Sequence, residues 1–359
     1  MEKKTVFGHW DVTFVVVNAI IVKLVYYFMN IFTLISARGG FICALIISGA
    51  FILLGLFYNK IYSIITITDF GFLSEKALGK FLKKLSFLLY VICFVFNTGN
   101  LLTFYTASVM NMMLPLSSVK VLLTLIIVTA FVITTKGLKT IVRIHGLFTP
   151  LLLMIMLVAS IAMFTKANPD NFFPIFGYGI DSILYCSLFT FSYFYEVIFM
   201  LFLMPDMAKT EERKKTIKLT CIFSISVLIL LLGAYIGSVP FPANTNILSV
   251  LMFIANSMNF PTPLKEILLV FMIGYTINII IYTATNMYFA AKLYSEAFNI
   301  SQIFPVRIGI SLLIAVSALA AGTVDTTLEV YKYFQPVLWI SGIILPALVL
   351  IKGYRNEKK

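Results

Sequence analysis

Charge is scarce in this chain: Asp, Glu, Lys and Arg make up 12% of its 359 residues, against ~25% in a soluble domain. No polar stretch is long enough to hold a separate folded unit, so a soluble architecture is excluded. Histidine is nearly absent, and the two present, His9 and His145, lie at the edges of apolar runs with no ligand-spaced neighbour. The four cysteines, Cys43, Cys93, Cys186 and Cys221, all fall inside apolar runs, with neither CxxC spacing nor a disulfide framework. No phosphate-binding glycine loop, HExxH, GxSxG or carboxylate pair at metal spacing occurs, which argues against an enzyme and implies no cofactor and no metal. The first residues, Met-Glu-Lys-Lys, precede a long apolar run without a small-residue cleavage site, so a retained first helix is expected.

What is abundant is apolar surface. Hydrophobic residues make up 60% of the chain and the mean hydropathy is +1.00, spread along the whole length. An all-α polytopic membrane protein follows, because lipid admits only backbones that satisfy their own hydrogen bonds. Ten apolar runs are long enough to be spans: about 10–36, 41–58, 85–108, 119–135, 146–164, 183–204, 219–238, 266–291, 303–321 and 334–351. The net charge of +12 does not point to nucleic acid, since the basic residues sit in short loops between runs. Twenty-one of the 27 Lys and Arg fall on one side of this layout, five on the other, and Lys23 lies within a span. That asymmetry places both termini in the cytoplasm.

Ten spans divide into five and five, residues 10–164 and 183–351 of a single transmembrane domain covering 1–359. An odd number per half makes the second half enter from the opposite side, the arithmetic of an inverted-repeat transporter fold with spans one and six as counterparts. Two connections exceed what packing needs. Residues 59–84 are amphipathic, with Ala77, Leu78, Phe81 and Leu82 set against Lys76, Lys80, Lys83 and Lys84, which suggests a helix lying on anionic membrane lipid. Residues 239–264 carry four prolines around an uncharged segment, Ile247 to Met258, readable as a short helix capping an outer vestibule.

Two ionisable residues stand inside spans. Lys23 lies 13 residues into span one, about 20 Å deep, and Glu196 eight residues before the cytoplasmic end of span six, about 12 Å deep. The axial gap of roughly 8 Å is bridged by two long side chains only if both lean. Intramembrane charges of this kind mark ligand or ion pathways, although a structural pair or a snorkelling lysine is the alternative. The Lys23 ammonium could also stand where related folds place a sodium ion. Ahead of Glu196 runs a polar aromatic patch, Thr190-Phe-Ser-Tyr-Phe-Tyr195, which adds Thr190, Ser192, Tyr193 and Tyr195 as candidates. Span three carries Asn97, Thr98, Asn100, Thr103 and Thr106, and span eight carries Tyr275, Asn278, Tyr282 and Asn286 at helical spacing. Interhelical hydrogen bonding explains these as well as a ligand does. Taken together, Asn18, Lys23, Asn97, Asn100, Glu196, Asn278 and Tyr282 would enclose a mid-depth polar cavity suited to a small zwitterion or polar metabolite.

The segment Asn171-Phe-Phe-Pro-Ile-Phe-Gly-Tyr-Gly-Ile180, span six with Ser192, Glu196 and Phe202-Leu-Met-Pro205, and the closing Leu345-Pro-Ala-Leu-Val-Leu-Ile351 before a basic tail carry a family pattern. Together they resemble the B subunit of spore germinant receptors, the endospore germination permease family, over nearly the full length. The resemblance implies a fold like the amino acid–polyamine–organocation transporters, with helices one and six discontinuous. It implies location in the inner membrane of the bacterial endospore, A-type and C-type receptor subunits as partners, and a small nutrient such as an amino acid as ligand. It also implies a break in span six at Ser192 to Glu196 and one in span one near Asn18 to Lys23. Neither stretch contains glycine, so unwinding is expected to be harder and a permeation path narrower. That favours nutrient sensing over proton-coupled amino acid transport, the alternative; a structural or channel subunit without its own ligand is a third reading.

Overall fold

A computed structural model describes residues 7–25, 29–63, 69–112, 114–207, 209–246, 262–320 and 322–357. The burial pattern is inverted relative to a water-soluble protein. Leu53, Leu125 and Leu312 are 68%, 61% and 61% exposed, while Asn18, Glu196, Asn278 and Asn286 are at 0%. Apolar side chains face outward where lipid replaces water, and polar groups are gathered inside.

Fourteen α-helices run through the described residues: α1 (His9–Lys23), α2 (Met29–Ser36), α3 (Gly40–Tyr62), α4 (Phe70–Leu78), α5 (Lys80–Met112), α6 (Val119–Thr135) and α7 (Leu138–Phe164). They continue as α8 (Ile180–Phe191), α9 (Ile198–Leu203), α10 (Thr210–Ser238), α11 (Thr262–Phe298), α12 (Ile303–Ala320), α13 (Val324–Trp339) and α14 (Leu345–Glu357). Every apolar run read from the sequence coincides with helix. By length and hydropathy, six described segments qualify as membrane crossings, seven if the bent pair 180–191 and 194–206 is one span, so the count of ten exceeds what this criterion supports. The chain is an integral membrane protein.

Two spans are broken at their centres. Span one is helical through Lys23 and turns into a wider π-like coil at Leu24 and Val25; α2 begins at Met29, and residues 26–28 between them lie outside the described residues. The expected break at Asn18 to Lys23 is therefore displaced toward the following residues; Asn18 is mid-helix. Span six passes from α8 into a 3₁₀ segment, Ser192–Val197, then into α9, with a bend of 44°. Phe194, at φ −76° and ψ 15°, makes the turn. The break needs no glycine because the 3₁₀ and bridge regions lie at negative φ, open to any residue. Glycine acts instead on the opposing helix. A π-turn at Ile340–Ile344 separates α13 from α14, and a Cβ on Gly342 would lie 2.8 Å from the Tyr195 ring. Only the missing side chain lets this turn pack on the span-six break.

The amphipathic segment near residue 76 does not lie flat as one interfacial helix. Gly79, at φ +84°, splits it into α4 and the first turn of α5. Phe70 and Leu73 of α4 are buried, with Phe70 edge-on to Tyr90 and to Phe202. One face of the helix thus docks on the bundle, held by its own aromatic anchor. Lys83 clamps it by bridging Glu75 of α4 and Glu296 of α11, each at 3.2 Å, and Lys352 donates to the Ala77 carbonyl at 2.8 Å. Both carboxylates are partly exposed, so Lys83→Ala is expected to cost only ~0.5–1 kcal/mol. Thermal unfolding of the detergent-solubilised chain should show a deficit that shrinks at high salt. The proposed vestibule helix, Ile247 to Met258, lies outside the described residues.

Candidate functional site

The site is assembled where the two broken spans face α11. Lys23, the last residue of α1, forms an ion pair with Glu196 in the 3₁₀ segment. Both side chains are buried. The second carboxylate oxygen of Glu196 accepts from the Tyr282 hydroxyl of α11 at 2.9 Å. Depth counted along straight helices separated Lys23 from Glu196 by roughly 8 Å, about one and a half turns. The 44° bend and the longer rise of a 3₁₀ turn, ~2.0 Å per residue, abolish that simple count. The pair joins both breaks directly.

A second layer fixes α1 to α11 in the turns leading up to Lys23. One turn earlier, the Asn18 side-chain amide donates to Asn278 Oδ1, and the Asn278 amide in turn donates to the Gly274 carbonyl at 2.6 Å. At the break itself, the Tyr275 hydroxyl donates to the carbonyl of Val22. That carbonyl lies in the last turn of α1, so Tyr275 ties the end of α1 to α11. Asn18→Leu would strand the Asn278 acceptor in a dry interface, and a loss of ~1–2 kcal/mol is expected. In a double-mutant cycle with Asn278→Leu, the combined loss should fall short of the sum of the single losses.

The other residues singled out by sequence behave unevenly. Asn97 accepts from Tyr331 of α13 at 3.4 Å, and the side-chain amide nitrogens of Asn97 and Asn100 are buried with no hydrogen-bond acceptor. Thr190 and Ser192 turn their hydroxyls back onto their own helix, to the carbonyls of Cys186 and Phe189 at 2.7 and 2.8 Å. Each hydroxyl donates within span six, beside the break. Tyr195 is buried with its ring against Phe94 at 5.6 Å, and its hydroxyl has no partner. The side chain of Tyr193 lies outside the described residues. Asn286 donates to the Tyr282 carbonyl at 3.0 Å, which stiffens α11 beneath Tyr282.

Sequence reasoning missed three features. His145 is not at a span edge: α7 begins at Leu138, and the imidazole is buried with Nε2 2.9 Å from the Thr285 hydroxyl. A hydrophobicity window starts the span too late, because the first turns of α7 are basic. Cys93 and Ser341 meet at 3.3 Å across α5 and the span-ten π-turn, a contact no periodicity announces. Tyr275 had been grouped with the polar face of span eight, but its tie to α1 depends on where α1 ends.

Beyond Glu196, in the direction of α9, the bundle is filled with rings. Phe94 and Phe199 stack at 5.3 Å, Phe199 and Phe289 at 5.2 Å, and Phe202 and Phe289 at 5.6 Å, with Tyr90 and Phe70 edge-on to Phe202. The aromatic layer separates the ion pair from α4.

A family model described as spore germination protein matches residues 9–325, which include both broken spans, the ion pair and its Tyr282 partner. The chain belongs to that family. No curated protein sequence matches it. Among solved structures, this spore germination protein is similar to a Na⁺-coupled sialic acid symporter in a substrate-bound outward-open state. The two share 12% identity at a TM-score of 0.60, over 94% of this chain and 79% of the symporter. At that identity the likeness establishes the fold, an all-helical LeuT-type transporter architecture. Family and fold are those of permeases and transporters, not of enzymes.

Proposed function

We propose that this germination-family permease is the nutrient-sensing subunit of a spore germination receptor, and that it binds a small polar molecule such as an amino acid between spans one, three, six and eight. The observation that carries this reading is the buried Lys23–Glu196 pair joining the two helix breaks. A zwitterion brings its own carboxylate and ammonium, so it could exchange partners with Lys23 and Glu196 without leaving either charge unpaired. The amides of Asn97 and Asn100, buried without acceptors, supply further donors. Because each break is held by the same pair, separating it biases two helices at once, the kind of two-state element on which a ligand switch acts. The A-type and C-type receptor subunits would read that shift from the cytoplasmic and membrane faces. The asymmetry of the basic loops supports a chain in the spore inner membrane with both termini in the cytoplasm.

The aromatic layer between Glu196 and α4 supports sensing over passage, because a permeating solute would have to displace at least four packed rings. The transporter fold supports the rival reading, proton-coupled amino acid uptake. The test is germination of spores carrying Glu196→Ala, Asn97→Leu with Asn100→Leu, or Asn278→Leu. Loss of the nutrient response with receptor subunits still assembled is expected, and an intact response in all three would show the site to be elsewhere. Counterflow of labelled amino acids into proteoliposomes holding this chain alone would favour transport.

A further inference from the structure

A groove of about 430 Å³ opens on the outer surface between α1, α7 and α10, well away from the ion pair. Trp10, Phe14, Pro150, Leu157, Phe223 and Leu230 line it, and its walls are almost wholly apolar. Met154 and Leu157 on its rim are exposed. These residues stand within the apolar runs of spans five and seven, at membrane depth, so the occupant must be a hydrocarbon rather than a polar solute.

The cytoplasmic end of the groove has a different chemistry. At 100° per residue, Lys139 and Arg143 each lie about 20° from Pro150 around α7. By the same count Lys215 lies about 20° from Ser226, a groove-lining residue of α10. All three basic side chains are exposed, and among the described residues none forms a salt bridge. Arg143 stands seven residues before Pro150 and Lys215 eight before Phe223, a drop of roughly 10–12 Å that their long side chains shorten. The neighbouring carboxylates are otherwise engaged: Glu212 with His9, Glu211 with Lys214 at 2.9 Å, and Asp11 with the Gly8 amide at 2.9 Å. Trp10, 44% exposed and stacked on Phe14 at 5.3 Å, sits at the junction of the two zones. An indole at that level belongs to the headgroup boundary.

We propose that this groove is a binding site for one anionic phospholipid, with an acyl chain along Phe14, Pro150 and Leu157 and the phosphate held by Lys139, Arg143 and Lys215. The charge pattern selects lipid over a transmembrane helix of another subunit, which would bring apolar side chains to the groove but no anion to the basic cluster. Since α1 ends in Lys23, a lipid seated against Trp10 and Phe14 braces the helix that carries half of the ion pair.

Native mass spectrometry of the full chain released from equimolar phosphatidylglycerol and phosphatidylcholine tests the site. The wild type should retain one phosphatidylglycerol in preference to phosphatidylcholine, by about fivefold for each basic side chain that reaches the phosphate. Lys139→Gln with Arg143→Gln and Lys215→Gln should bring the ratio close to one while leaving some lipid bound. Ser226→Trp, which fills the groove, should abolish retention of both lipids. Circular dichroism of each variant separates these outcomes from misfolding, and Leu147→Trp, outside the groove, serves as a second bulky control expected to retain phosphatidylglycerol. Equal retention of the two lipids by the wild type, or undiminished phosphatidylglycerol on folded Ser226→Trp, would overturn the proposal. So would cross-linking of Leu230→Cys to a transmembrane segment of a partner subunit in the intact receptor.

Discussion

Glu196→Gln should destabilise the protein by about 3–5 kcal/mol, because it leaves the Lys23 ammonium buried against a neutral amide. Lys23 has little access to water through which to recover the loss, and its side chain is only 6% exposed. The Tyr282 hydroxyl, 2.9 Å from Glu196, would keep a carbonyl acceptor in the glutamine variant, so the deficit reports the lost charge and not a lost hydrogen bond. Replacing both charges, Lys23→Met with Glu196→Leu, should recover most of the stability, since an apolar pair of similar volume carries no desolvation cost. The germination response should nevertheless stay absent in the double variant. Denaturation midpoints of the purified chain, read beside spore germination, separate the two roles. A double variant that is stable and still responds to nutrient would reduce the pair to a structural element. An unchanged midpoint for Glu196→Gln alone would mean that water reaches the pair.

Phe202→Ala is expected to cost a similar ~3–5 kcal/mol, for a different reason. Phe202 is 8% exposed and touches four rings: Phe70 at 5.6 Å, Tyr90 at 5.8 Å, Phe94 at 6.3 Å and Phe289 at 5.6 Å. Its removal deletes edge-to-face and stacked contacts worth ~0.5–1.5 kcal/mol each beyond simple burial, and leaves a cavity between the site and α4. Phe202→Leu should lose much less, because most of the volume is kept. The functional consequence is directional. If the ring layer is what blocks passage toward the cytoplasm, Phe202→Ala should raise counterflow of a labelled amino acid above the wild-type level, while Phe202→Leu should not. Equal counterflow in all three proteins would show that the layer is packing alone.

Membrane embedding, helical class, the family and the two intramembrane charges were legible in composition and local pattern. These are properties of residue type and spacing. Hydrocarbon forces every backbone group to bond within its own helix, and a buried charge is conspicuous against 60% apolar residues. Tertiary structure alone decided which polar residues meet. Thr190 and Ser192 donate to carbonyls of their own span, which no pattern announces, and His145 looked peripheral and is buried against Thr285. The breaks depended on it too. Sequence reasoning expected the lack of glycine to make unwinding harder, but span six unwinds through negative-φ 3₁₀ geometry at Ser192–Val197, and the glycine that matters, Gly342, sits 146 residues after Glu196 on the segment packed against it. The pairing of Lys23 with Glu196 has the same origin. Depth along a straight helix is additive in residue number, whereas a 44° bend redirects everything beyond it, and only packing against α11 and the span-ten π-turn sets that angle.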